Sequence, residues 1–165
     1  MHTNNVLRGA WAGEIAAYYL GDCHFPEQWS YFDFDWQGHK VGVKHSVGSA
    51  ARFAIPRTPY ALESDGAAFP GNGASLSNNP NERRFWCDLY LFAWLDLGQK
   101  VRTPPTLDQV LEPSQWRFAI LSRVQMEARF DAEVRSVGRS VLAGHAPFVD
   151  GASLPTVASQ ALGLA

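Results

Sequence analysis

The stretch from residue 29 to residue 47 restricts the possible folds of this chain more than any other part of it. Residues 29–36 are aromatic and alternate in character, Gln37-Gly38 supplies a tight turn, and residues 39–47 alternate again. A period of two belongs to strands, so the segment reads as a β-hairpin with one buried side. A two-residue turn at Gln37-Gly38 pairs 36 with 39, 35 with 40, 34 with 41 and 33 with 42. That register sets Asp33 across from Gly42, on the face that also carries Lys44. Asp35 lies on the same face, one pair nearer the turn. Phe32, Phe34, Val41 and Val43 point to the other side, as a hydrophobic floor.

The remaining chain alternates helix-like and strand-like segments. Trp11, Ile15, Tyr18 and Tyr19 recur at helical spacing in residues 9–20, and Gly21 closes the pattern. A short strand at 52–55 stops at Pro56. Residues 85–95 form an apolar run suited to a central strand, and 116–121 form another, introduced by the turn Glu112-Pro113-Ser114. Helices are expected at 124–130 and 154–162, the latter capped by Ser153 with Pro155 in its first turn. Between the strand at 52–55 and the apolar run at 85–95, residues 57–84 are rich in Gly, Asn, Ser and Pro and too long for an ordinary connection. With 165 residues, 46% hydrophobic and 18% charged, the chain has enough apolar surface for one core. A single α/β domain over 1–165 is the expectation, with a long loop at about 57–84. No apolar run is long enough to cross a bilayer, and the first eight residues hold no apolar leader, so a cytoplasmic location is expected.

The hairpin face is where the chemistry of the sequence concentrates. A carboxylate at Asp33 and an ammonium at Lys44, held on rigid strands, suit phosphodiester hydrolysis. The acid holds a hard divalent ion, and the lysine orients or activates water. Alternating charges on a hairpin are more often simply its solvated face. Arg83 and Arg84, with Arg57, sit where they would touch phosphates at a cleft rim, or merely solvate a strand entry. Asp88, inside an apolar segment, requires a partner and is best read as half of a structural ion pair. His45 follows Lys44 and points to the opposite side of the strand. No spacing among Cys23, His24, His39, His45, Cys87 and His145 fits a zinc knuckle, and both cysteines read as buried free thiols. The formal net charge of -2 argues against a protein that coats nucleic acid unspecifically.

In order, Gly13-Glu14-Ile15, Phe32-Asp33-Phe34 and Val41-Gly42-Val43-Lys44-His45-Ser46 resemble the motifs of PD-(D/E)xK nucleases. The similarity continues in short pieces over residues 9–140, through Cys87-Asp88-Leu89-Tyr90-Leu91-Phe92-Ala93, Glu112-Pro113-Ser114-Gln115-Trp116-Arg117-Phe118 and Met126-Glu127. The resemblance implies a restriction-endonuclease-like fold, a central mixed β-sheet flanked by helices. It implies a Mg²⁺- or Mn²⁺-dependent endonuclease acting on DNA. Asp33 would be the main metal ligand, the Val43 carbonyl a further one, Lys44 the catalytic lysine, and Glu14 would reach the site from its helix. A homodimer would suit cleavage of both strands. The departure is Gly42, which stands where the family has its second acid. Asp35 or Glu14 would have to replace it. Otherwise the chain is a degenerate nuclease fold that binds nucleic acid or a protein partner.

Overall fold

The computed structural model describes residues 5–27, 30–57, 60–62, 68–70, 83–98 and 104–164, with backbone alone at 60–62 and 68–70. Helix α1 (Asn5–Leu20) leads into strand β1 (Cys23–His24) and the hairpin β2 (Phe34–Trp36) and β3 (His39–Val47). Short strands β4 (Arg52–Ala54), β5 (Tyr60–Leu62) and β6 (Ala68–Pro70) precede β7 (Leu89–Leu95). Then follow α2 (Leu107–Leu111), a 3-10 turn at Pro113–Gln115, β8 (Trp116–Ser122), α3 (Arg123–Arg129), β9 (Ser136–Gly138), α4 (Arg139–His145) and α5 (Leu154–Leu162).

The central sheet has five strands in the order β1-β2-β3-β7-β8. Only β3 and β7 run parallel, and every other pair is antiparallel, so the sheet is mixed. Two smaller sheets pair β4 with β9 and β5 with β6. The β5–β6 pair falls inside the stretch expected to be one long loop; most of the rest of 57–84 lies outside the described residues.

Two cores sandwich the sheet. On one face Phe34, Val41, Val43, Leu89, Leu91, Ala93, Leu95, Trp116, Phe118 and Ile120 pack with α1 and α5. On the other, Tyr90, Phe92, Ala119 and Leu121 meet Phe53 of β4, Val137 of β9, Met126 of α3 and Leu142 of α4. Helix α1 runs longer than the aromatic spacing predicts. Its buried stripe is Ala12, Ile15, Ala16, Ala17 and Leu20 rather than the aromatic residues, and Tyr18 is 79% exposed. The small alanines let the helix lie close against the strands. Close approach recurs at Gly151, where an added Cβ would fall 2.1 Å from the Tyr19 ring.

The turn is as the sequence predicts. Gln37 and Gly38 have φ of 51° and 85°, the pair of positive values a type I′ turn needs. Trp36↔His39, Asp35↔Lys40 and Phe34↔Val41 pair in the expected register. The register then breaks. The Asp33 N–H also donates to the Val41 carbonyl at 2.9 Å, so two residues oppose one, as in a β-bulge. The bulge resets the alternation, and Phe32 joins the core on the Gly42 face instead of lying beside Phe34. One further expectation fails at the last helix. Ser153 makes no side-chain cap there; the preceding 3-10 turn is capped by Asp150, which accepts from the Ser153 N–H at 2.9 Å.

Candidate functional site

Strand β2 is too short to accompany β3 beyond Val41, which leaves the next backbone groups of β3 without a strand partner on that edge. The side chain of Asp33 fills part of the gap: its Oδ2 accepts from the Val43 N–H at 2.6 Å. The residue as a whole is exposed, but its carboxyl is turned in against the strand. Burial pushes its pKa up, opposed by the Val43 hydrogen bond and by the charge of Lys44. The structure therefore brings together Asp33, the Val43 backbone and Lys44, three of the residues singled out from the sequence. Among the described residues Lys44 has no ion pair or hydrogen bond of its own.

Gly42 does not face empty space. A Cβ there would come within 3.0 Å of the Cys87 sulfur and 3.5 Å of the Tyr90 ring. The Tyr90 hydroxyl accepts from the Cys87 N–H at 2.9 Å, which ties both residues down over the glycine. Burial, and then the charge of Asp33, push the Cys87 thiol up to about 12, so it stays protonated at neutral pH and is no nucleophile. A side chain at 42 would require the buried Cys87 thiol to give way by a few tenths of an ångström. This arrangement has no signal in the sequence, because Cys87 reaches Gly42 only through the parallel pairing of β3 with β7.

The other acids have different work. Asp35 binds the Lys40 ammonium at 2.6 Å and accepts from the Gly38 N–H at 2.8 Å, and these bonds hold its carboxyl below the usual range. Asp88 stands at the head of β7, accepting from the Lys40 N–H at 2.9 Å and pairing with Arg123 at 3.3 Å. It is the structural ion pair its apolar setting implied. Glu14 lies on α1 and lines a separate cleft with Leu111 and Pro113. Among the described residues no three His, Cys, Asp or Glu side chains gather closely enough to hold a metal ion between them. The donors at the hairpin are one carboxylate and one carbonyl, which do not fit the two-acid site that the nuclease motif implies.

Of the three arginines considered for phosphate contact, Arg57 is committed elsewhere. It bonds the Phe130 carbonyl and lies 4.4 Å from the centre of the Phe85 ring. Arg84 is exposed and Arg83 half-buried, both just ahead of Phe85, whose ring contacts Tyr90 at 5.4 Å. Their segment thus leads onto the Gly42 face. His45 points the other way, towards α1, with its Nε2 3.0 Å from Asn5 Oδ1. Burial there, with the charges of Arg8 and Lys44, holds its pKa below the usual histidine value. No helix among the described residues is long and apolar enough to cross a membrane. No protein-family profile, no curated protein and no solved structure matches the chain.

Proposed function

We propose that this chain is a restriction-endonuclease-like protein that binds DNA at the Asp33–Lys44 face without cutting it efficiently. The observation that carries this reading is the filling of the Gly42 position. The place of the second acid is crowded by the Cys87 thiol, 3.0 Å from where a Cβ would stand, and by the Tyr90 ring, and Asp35 is bound to Lys40. What supports binding is the Lys44 ammonium, which has no ion pair among the described residues, and the exposed Arg84 on the approach to the same face. A few local cations suffice for phosphate contact despite the net charge of -2.

A second reading keeps the enzyme. Asp33 and the Val43 carbonyl would hold a Mg²⁺ or Mn²⁺ ion whose shell is completed by water and phosphate, with Lys44 beside it. The carboxylate–lysine pairing at Asp33 and Lys44 favours it, since magnesium is held in many sites by one or two carboxylates. One experiment separates the two. Linear, circular and single-stranded DNA are incubated with wild type and Lys44→Ala, with Mg²⁺, Mn²⁺ or EDTA, and binding is measured in parallel. The binding reading expects no metal-dependent cutting, and salt-sensitive binding weakened several-fold by Lys44→Ala. Metal-dependent cutting that vanishes in Lys44→Ala would instead establish the nuclease.

A further inference from the structure

Helix α1 carries a second feature on the side away from the hairpin. Trp11, Glu14, Ile15 and Tyr18 follow one another at helical spacing and line an open cleft of about 340 Å³, closed opposite by Leu111 and Pro113. That volume lies at the small end of the range for ligand sites. Among these lining residues Glu14 alone is charged. It is exposed and, among the described residues, has neither an ion pair nor a hydrogen bond. The apolar stripe continues one turn back along the helix to Leu7, 40% exposed.

The chemistry of this lining selects its occupant. Trp11 and Tyr18 bring aromatic surface to the lining, and Glu14, between them along the helix, adds a carboxylate, so a cation finds both π-electron density and charge complementarity there. A neutral apolar ligand would strip water from Glu14 and return no counter-charge. A hard metal ion would find one carboxylate among carbon surfaces. A planar guanidinium stacks on an aromatic ring and forks onto a carboxylate, which an ammonium does less well. We propose that the Trp11–Glu14–Tyr18 cleft receives an arginine side chain of a protein partner, whose flanking apolar residues lie along the exposed stripe towards Leu7. This site is independent of what the hairpin face does.

The test is an NMR titration of the whole chain, following the Trp11 indole and the Glu14 and Tyr18 amides. The probes are N-acetyl-arginine methylamide, the matching citrulline compound, which is neutral and nearly isosteric, and choline. The expected result is a saturable shift with the arginine probe, at least about threefold weaker binding of citrulline, and a similar loss in Glu14→Gln. Glu14 is exposed, so that variant keeps the fold. No saturable shift, or equal affinity for arginine and citrulline, would overturn the proposal. Tighter binding of choline than of arginine would overturn it as well, reassigning the cleft to a free organic cation.

Discussion

The two faces of the central sheet are built from the same strands and differ in what they tolerate. The α1–α5 face is continuous aliphatic and aromatic packing, from Phe34 through Leu91 to Phe118, with both covering helices laid flat on it. The opposite face is covered by short pieces, β4 with β9, α3 and α4. At its hairpin end it carries a bulge, a carboxylate capping a strand N–H, a lysine with no ion pair among the described residues and a glycine roofed by a thiol. Both faces are buried core, and the second also carries, at its hairpin end, the polar groups on which any chemistry would depend. The lesson is that a sheet can keep reactive residue types at one edge while buried packing on both of its faces supplies the stability.

The comparison is most easily broken at Leu91, fully buried in the α1–α5 core. Leu91→Ala should cost about 2–5 kcal/mol in urea unfolding, by lost transfer energy and the cavity left behind. A loss under about 1 kcal/mol would mean that this face is not packed as a core. Next comes Gly42→Glu, which restores the acid of the nuclease motif. It should destabilise by about 1–3 kcal/mol through overpacking against Cys87, and Cys87→Ala in the same chain should recover much of that. If the binding reading is right, the double variant should gain Mg²⁺-dependent cleavage over wild type. A wild type already as active as the double variant would break it.

The smallest effects distinguish two aspartates two residues apart. Asp33 has a pKa raised from its ordinary 3.8, so the stability linked to it is complete below that value and lost as pH rises through the folded value. Asp35 has a lowered pKa, so its contribution is present above 3.8 and lost as pH falls through the folded value. Urea melts from about pH 3 to about pH 7 should therefore show opposite slopes for wild type relative to Asp33→Asn and to Asp35→Asn. The Asp35–Lys40 pair is part-buried at the sheet rim and still reached by water, and its part is about 1 kcal/mol or less. Slopes of the same sign would show that Asp33 is not held in a poorly solvated position.

Much of the fold was legible in the chain. The I′ turn at Gln37-Gly38, the register of Phe34, Asp35 and Trp36, the central strand at β7 and the helix at Leu154–Leu162 all follow from local period and turn chemistry. So does the opposition of His45 to Lys44, since it needs only that successive strand residues alternate. The short elements β1, α2, β9 and α4 were not, being only two to seven residues long with weak periodicity. Of the candidate site, Asp33, Val43 and Lys44 were legible because one hairpin carries all three. The contacts of Arg57 with the Phe130 carbonyl and the Phe85 ring have no local signal, since they join residues far apart in the chain.

By itself the sequence determined the hairpin, the mixed layering of strands and helices, and the residue types offered on each strand. Those properties are local: alternation, turn dihedrals and helical spacing act over a few residues. The tertiary structure alone decided what those residues meet. The parallel pairing of β3 with β7 lays Cys87 and Tyr90 over Gly42, and the bulge at Asp33 turns its carboxyl onto Val43. The packing of α1 against α2 gives Glu14 a cleft with Leu111 instead of a place among the hairpin acids. Contacts between residues tens of positions apart depend on how whole elements dock, and nothing in the local pattern of either partner records them.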